Sequence, residues 1–122
     1  MTIQTILKTH QHHGIKEEEL YNTYKIFFGT LVSESRLKII NLLRTGTKNV
    51  SEIMHALNMD QTAVSHDLQR LKTCGFVVVE TKGKYRYYSL NTKTIKPLMT
   101  LIDEHMSKYC IHILHHTRGG EP

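Results

Sequence analysis

Residues 50–90 constrain the fold most, because this stretch contains two successive helical patterns followed by two strand patterns. The first pattern is a narrow apolar stripe at the spacing of a helix: Val50, Ile53, Met54 and Leu57. Asn49 is placed to cap this helix, and Glu52 completes a capping-box-like start. We therefore predict a short buried helix that begins near residue 50.

A second helical pattern follows after a break at residues 58–60. Asp60 is placed to cap it and Gly75 to end it, while Val64, Leu68 and Leu71 form its apolar stripe. The rest of this helix faces away from the core, with Gln61, Thr62, Ser65, His66, Gln69 and Arg70 on its outward side. Amide, hydroxyl and imidazole groups suit base edges in the major groove, so we predict nucleic-acid contact here.

The segments VVVETK and YRYYSL have strand character and meet at Lys82-Gly83-Lys84, which predicts a β-hairpin. A helix pair followed by such a hairpin is typical of a winged helix-turn-helix. Between Gln61 and Arg86 there are five cations (Arg70, Lys72, Lys82, Lys84, Arg86) and two acids (Asp67, Glu80), an excess of three. We expect Lys82, Lys84 and Arg86 to lie along a nucleic-acid backbone. The alternating tyrosines are interpreted as hairpin packing.

Two further helices are predicted before this unit. Glu17 to Glu19 place acids in a first turn, and an apolar stripe follows: Leu20, Tyr24, Phe27, Phe28 and Leu31. Ser33 or Ser35 then caps a helix that ends at Thr45-Gly46 and turns Leu37, Ile40 and Leu43 inward. These elements complete a three-helix core with the helix pair.

One last helix is predicted after the hairpin, capped by Thr94, with Pro97 in its first turn and its end near His116. Its stripe comprises Ile95, Leu98, Ile102, Met106, Tyr109 and Ile113. The winged core buries its own faces, so the first and last helices need another surface. The predicted fold is therefore mainly α with a small β-hairpin, a winged helix-turn-helix that dimerises through its first and last helices and binds a pseudo-palindromic operator.

The composition is that of one globular domain of 122 residues with 39% hydrophobic content. We place it at residues 15–116, after a His-containing segment (1–14) and before a flexible tail (117–122). The net charge of +5 favours polyanionic partners. No membrane span or signal peptide is expected, and only Cys74 and Cys110 are present, so we predict a cytoplasmic protein with reduced thiols. The chain has no phosphate loop, nucleophile elbow or HExxH motif, and no enzyme is predicted.

The stretches SESRLKIINLL, NVSEIMHALNMDQTAVSHDLQRLKTCGFV and TKGKYRYYSL resemble the ArsR/SmtB family of dimeric winged-helix repressors. The resemblance covers about residues 20–110, and the Ser65-His66 pair is especially characteristic. It implies that the residues matching Gln61, Thr62, Ser65, His66 and Gln69 contact DNA. It also implies that the wing tip matching Lys82, Gly83, Lys84 and Arg86 lies along the backbone.

The inducer sites of this family match less well. Arsenic-type sensors have a Cys-x-Cys pair where this chain reads TKNVS from Thr47. At the zinc-type positions stand Thr92, Thr94, His105 and Lys108, so only one ligand remains. The cadmium and lead branch has three thiols, of which Cys74 and Cys110 are present while Arg70 stands at the other position. The persulfide-sensing branch has its first cysteine earlier in the chain than Cys74.

Histidines are concentrated at both ends of the chain. His105, His112 and His116 share one flank of the last helix on an α-helical wheel, and His112 with His116 at i, i+4 is spaced to chelate one ion. The N-terminal His10, His12 and His13 are candidates to complete such a site. Imidazole ligands suit zinc, nickel, cobalt or copper. In the alternative without a metal site, the terminal histidines are solvated and His105 packs against the dimer helix. Cys74 and Cys110 are then buried structural thiols.

We therefore predict a repressor that releases its operator when a transition metal binds at the dimer or terminal helices. The alternatives are a ligand-independent or thiol-redox-responsive DNA-binding regulator of the same fold, with Cys74 and Cys110 as its thiols, and a winged-helix protein-interaction module.

Overall fold

A computed structural model describes residues 16–118, with side chains as far as Leu114. Its elements are α1 (Glu17–Val32), α2 (Glu34–Leu43), β1 (Lys48–Asn49), α3 (Val50–Leu57), α4 (Gln61–Thr73), β2 (Val77–Lys82), β3 (Tyr85–Leu90), α5 (Ile95–His105), a π-helical turn (Met106–Cys110) and α6 (Ile111–Arg118). Within residues 16–118, every helix is too short or too polar to traverse a bilayer. The predicted winged helix-turn-helix is confirmed.

The core lies between α2, α3, α4 and the sheet. Its fully buried side chains include the predicted stripe of α4, and the whole group comprises Ile39, Ile40, Ile53, Val64, Leu68, Leu71 and Phe76. Ile39 was not among the predicted inward residues, and Leu37, which was, is only half-buried. The reason is that α2 is enclosed on more than one side, so its buried face is wider than a single stripe.

Side-chain caps fix the ends of the helix pair. Asn49 Oδ1 accepts from the Glu52 N–H, and Glu52 Oε1 accepts from the Asn49 N–H, both at 2.9 Å, which confirms the capping box. Asp60 Oδ1 accepts from the Ala63 N–H at 2.7 Å and caps α4 as predicted. Each such cap contributes about 1 kcal/mol to stability. The start of α4 is therefore well fixed.

The structure also decides the predicted caps of α2 and α5. Ser33, and not Ser35, is the N-cap of α2, with its Oγ accepting from the Arg36 N–H at 3.3 Å. The Thr94 side chain makes no cap hydrogen bond to α5. Asn91 takes this role, because its Oδ1 accepts from the N–H groups of Lys93 and Thr94 at 3.0 and 3.2 Å. An amide side chain just before a helix satisfies the same N–H groups as a cap.

The hairpin belongs to a three-stranded antiparallel sheet with the order β1-β3-β2. Strand β1, which the sequence did not predict, pairs Lys48 with Tyr88 and Asn49 with Tyr87. Since β1 directly precedes α3, this pairing ties the wing to the start of the helix pair. A two-residue strand is too short to produce a visible period of two, which explains why it was missed.

The apolar stripe of α1 faces two ways. Leu20 is buried, and the ring of Phe27 stacks on Phe76 with centroids 5.1 Å apart. Tyr24 and Phe28, by contrast, are 37% and 58% exposed in the single chain. Only part of the predicted stripe therefore packs on the domain to which it belongs.

The last helix differs from the predicted continuous α-helix. At Met106–Cys110 the backbone forms a π-helical turn, in which the Ile111 N–H donates to the Met106 carbonyl five residues back. Ile95 and Met99 are buried, but residues 104–114 are all exposed, so the helix projects beyond the core here. The π-helical turn changes the number of residues per turn within this segment. An α-helical wheel drawn across them does not apply.

Candidate nucleic-acid interface

The outward face of α4 presents polar side chains to solvent. Val64, Leu68 and Leu71 hold the helix on the core with at most 1% exposure. The predicted base-contacting residues Gln61, Thr62, Ser65, His66 and Gln69 are all exposed. Because the buried stripe is narrow, most of the helix circumference is available for contact. The structure thus brings these residues together on one helix, as the sequence predicted.

Asp67 differs from its exposed neighbours on α4. It is buried, it accepts a hydrogen bond from Ser35 Oγ at 2.5 Å, and it forms an ion pair with Arg36 at 3.4 Å. Asp67, one of the two acids counted between Gln61 and Arg86, is therefore neutralised by Arg36 on the inner side of α4. His66 Nδ1 lies 3.8 Å from the same carboxylate, while its side chain remains 80% exposed.

Arg70 also differs from the other predicted contact residues. It is half-buried, and its Nε donates to Thr30 Oγ1 at 3.0 Å. One N–H of its guanidinium is therefore already bonded to α1. By comparison, the amide of Gln69 bonds only within the helix surface, to Thr73 Oγ1 at 3.2 Å.

The wing tip is a tight turn around Gly83, which has φ 62. Lys82 pairs with Tyr85 across the strands, so Gly83 and Lys84 form a two-residue loop. Lys82 forms an exposed ion pair with Glu80 at 3.2 Å. Lys84 lies over the ring of Tyr85 at 5.6 Å from its centroid. Charged and aromatic groups thus share the exposed tip.

The tyrosines of β3 alternate as predicted. Tyr88 is buried in the core, whereas Tyr85 is 46% exposed at the tip. Arg86, on the same strand, lies with its guanidinium 5.9 Å from the Tyr88 ring centroid and is exposed. Hairpin packing is confirmed for Tyr88, and Tyr85 is the ring beside the predicted backbone contacts.

The predicted metal and thiol residues are dispersed. His105 and His112 are exposed on the last helix, on either side of the π-helical turn, and the ring of His105 contacts Tyr109 at 4.8 Å. An α-helical wheel does not fix their relative direction across that turn, because a π-helical turn winds more widely than an α-helix, and their alignment on one flank stays a prediction. His10, His12 and His13 and the side chain of His116 lie outside the described residues. Among residues that are described, no three His, Cys, Asp or Glu side chains form a group suited to a metal.

The two cysteines occupy different surroundings. Cys110 is exposed, contrary to the expectation of a buried thiol, because the helix has left the core at this point. Cys74 is half-buried at the end of α4, with its Sγ 3.3 Å from Thr30 Oγ1. It also lines an apolar cavity of about 580 Å³ between α1 and α5. Both are free thiols.

Sequence reasoning missed Thr30, Ser35 and Arg36, which hold α4 in place. Thr30 is fully buried, and Arg36 donates from Nε to its carbonyl at 2.8 Å. The only sequence signal was a threonine near the end of an apolar α1 and an arginine in the first turn of α2. Such residues are commonly solvated, so this signal is weak without coordinates.

The fold and this surface define a winged helix-turn-helix domain. A family model described as bacterial regulatory protein, arsR family, matches residues 33–79. The transcriptional repressor SdpR of Bacillus subtilis is 32% identical over 69 residues, which is 57% of this chain and 77% of SdpR. The regulator NmtR of Mycobacterium tuberculosis is 38% identical over 69 residues, and the matched part is 57% of this chain but only 58% of NmtR.

A solved structure agrees with these sequence matches. The homodimeric winged helix-turn-helix DNA-binding domain of Mb0332 from Mycobacterium bovis, a possible ArsR-family transcriptional regulator, superposes with a TM-score of 0.71 at 26% identity. The superposition covers 77% of this chain and 87% of that domain. The chain therefore belongs to the ArsR/SmtB family of DNA-binding, non-enzymatic transcriptional regulators.

Proposed function

We propose that this protein is a transcriptional repressor that occupies an operator through α4 and the wing. The observation that carries the proposal is the exposed polar face of α4 beside a wing whose tip holds exposed Lys82, Lys84 and Arg86. The capped N-terminal half of α4 enters the major groove, where amide, hydroxyl and imidazole groups discriminate bases. The wing cations neutralise phosphates and hold the register.

The test is selection of duplexes from a random-sequence library, followed by binding measurements. The wild-type protein should enrich a defined sequence. Ser65→Ala should lose about 1 kcal/mol of discrimination at the base it contacts, because the hydroxyl makes a single hydrogen bond. Ser51→Ala, an exposed serine on α3, serves as the matched control and should retain the wild-type preference. Enrichment of no sequence by the wild type would contradict the proposal and favour a winged-helix protein-interaction module.

We further propose a homodimer built on α1 and the last helix. In the single chain, Tyr21, Phe28 and Val32 on α1 and Leu101 and Tyr109 on the last helix are between 47% and 79% exposed. Exposed apolar side chains in such number on adjoining helices require a covering surface. A two-fold dimer supplies it and brings two α4 helices to half-sites about 34 Å apart, one turn of DNA.

Sedimentation of two charged variants tests the dimer. Phe28→Asp places a carboxylate at a 58% exposed ring on α1, and Val78→Asp places one at a 53% exposed position on the outer face of the wing. The wild type and the Val78 variant should be dimers at micromolar concentration, and the Phe28 variant a monomer. A dimeric Phe28 variant, or a monomeric wild type, would reject this interface.

For the inducer, we propose a transition metal bound by the histidines of the last helix. His105 and His112 are exposed there, and relatives of this chain include an arsenical resistance operon repressor of Bacillus subtilis and a probable mercury resistance operon repressor of Streptomyces lividans. Because α5 and α6 also carry the proposed dimer surface, an ion bound to them shifts the spacing of the reading helices and lowers DNA affinity. A coupling of about 1–3 kcal/mol suffices for a switch of about 5- to 150-fold. Zinc, nickel, cobalt and copper are the candidates.

The metal proposal is tested by titrating each ion into the protein–DNA complex. The double variant His112→Ala with His116→Ala should lose the metal response while retaining DNA affinity. His55→Ala, an exposed histidine on α3, should respond like the wild type. A normal response from the double variant would refute the assignment.

A second candidate is a thiol-responsive regulator, favoured by the exposure of Cys110 and by the position of Cys74 at the junction of α1 and α4. Under this alternative, DNA release follows thiol reagents and is indifferent to metals. A regulator without a ligand would respond to neither.

A further inference from the structure

Thr30, near the end of α1, is a fully buried polar residue with partners on three helices. Its Oγ1 donates to the Ile26 carbonyl at 2.8 Å, accepts from Arg70 Nε at 3.0 Å and lies 3.3 Å from Cys74 Sγ. Its carbonyl accepts from Arg36 Nε at 2.8 Å. Arginines from α2 and from α4 therefore meet at one residue of α1.

Arg36 extends this connection in two directions. One terminal nitrogen donates to the Gly29 carbonyl at 3.2 Å, and the other approaches Asp67 Oδ1 at 3.4 Å. The Gly29 and Thr30 carbonyls lie in the last turn of α1, where backbone acceptors lack partners within the helix. Arg36 satisfies them and reaches the reading helix with the same guanidinium.

The position of these bonds determines what they control. Asp67 and Arg70 are three residues apart and therefore lie on the same side of α4. Asp67 is bonded to Arg36, which also bonds to the last turn of α1, and Arg70 is bonded directly to Thr30 in that turn. Directional, charge-assisted bonds tolerate less change in angle than apolar side chains, which slide and repack. The α1–α4 angle is thus fixed by polar contacts at this junction.

We propose that Thr30, Arg36, Asp67 and Arg70, here named the Thr30 linkage, set the distance between the two reading helices of the dimer. They are positioning residues: they fix α4 relative to α1, and α1 joins the two subunits. This inference rests on the proposed dimer and its paired half-sites. The linkage determines which half-site spacing the protein accepts, while the outward face of α4 determines which bases it prefers.

The experiment is duplex selection from a random library with wild type, Thr30→Val and Thr30→Ser. Valine retains the shape of threonine but removes the hydroxyl that bonds Arg70, and serine retains the hydroxyl. We expect the wild type and Thr30→Ser to select paired half-sites at one spacing. Thr30→Val should select the same half-site bases with the preferred spacing shifted or broadened by about one base pair or more.

The same variants can be compared by measuring their affinities for duplexes whose half-sites are separated by different numbers of base pairs. The wild type should bind its selected spacing about tenfold more tightly than a duplex lengthened by two base pairs, and Thr30→Val should reduce this ratio to about threefold or less. Sedimentation and thermal unfolding establish that the variants are folded dimers. If Thr30→Val fails to fold, Arg36→Lys replaces it, since lysine keeps the charge but cannot bond both carbonyls and Asp67 together.

The outcomes separate this inference from the proposed function. Selection of single, unpaired half-sites by the wild type would overturn this inference together with the proposed dimer and its paired half-sites, but not base reading by α4, which only the enrichment of no sequence would overturn. If the wild type selects paired half-sites and the folded Thr30→Val and Arg36→Lys dimers retain its spacing ratio, the Thr30 linkage alone is overturned.

Discussion

Arg36 of α2 and Asp67 of α4 form an ion pair of 3.4 Å in which the side chains are only 15% and 8% exposed. Asp67 is the buried acid of a helix whose other polar residues mostly face outward. Its carboxylate also accepts from Ser35 Oγ, so the pair is hydrogen-bonded as well as charged. Helix α4 is therefore fixed from its inner side by residues that lie away from its exposed polar face.

Removing one partner of this pair should destabilise the protein strongly. Asp67→Ala leaves the shielded Arg36 without a counter-charge, and such losses cost about 3–5 kcal/mol. Chemical denaturation provides the measurement. Glu80→Ala is the matched control, because its pair with Lys82 is 68–70% exposed and should contribute less than about 1 kcal/mol. Equal effects from the two substitutions would contradict the structural role of the buried pair.

The helix caps make a second prediction. Asp60→Ala should lower the free energy of unfolding by about 1 kcal/mol, because Asp60 Oδ1 accepts from the Ala63 N–H. Thr94→Ala should leave it nearly unchanged, because the Thr94 side chain makes no cap hydrogen bond. Thermal unfolding of the two variants in the absence of DNA distinguishes them, and the reverse order of stability would contradict both the Asp60 cap and the absence of a Thr94 cap.

Two glycines with free space around them should respond in opposite ways to alanine. Neither Gly29 nor Gly75 has an atom within 4 Å of an added Cβ, but Gly75 has φ +76 at the end of α4. Gly75→Ala should destabilise by about 1 kcal/mol or more through backbone strain. Gly29→Ala, inside α1, should stabilise by about 0.5–1 kcal/mol through helix propensity. Denaturant titration of both variants checks the sign of each change.

The wing makes a prediction about salt dependence. Lys84→Ala should weaken binding to all duplexes and reduce the slope of log affinity against log salt by about one, because a phosphate contact is lost. Lys96→Ala, on α5 and not on the wing, should leave the slope unchanged. Titrations at several salt concentrations measure it. An unchanged slope for Lys84→Ala would remove this residue from the DNA surface.

How much of this structure the sequence predicted depends on how far apart in the sequence the interacting residues are. Patterns within a few residues correctly predicted the helix pair, the caps at Asn49 and Asp60, the hairpin and the outward face of α4. The Thr30–Arg70 contact joins residues 40 positions apart, and no local pattern encodes it. The π-helical turn was missed for a related reason, since helical periodicity assumes α-helical winding throughout.

Fluorescence anisotropy of the metal-free protein on its selected duplex, at a fixed salt concentration of about 0.15 M, tests the central claim most directly. We predict binding about 10³-fold or more tighter than to a scrambled duplex of equal length. Substitution of Gln61, Ser65 and His66 by alanine should abolish this preference while leaving the salt-dependent affinity for the scrambled duplex. Equal wild-type affinity for both duplexes would contradict the assignment of α4 as a base-reading helix.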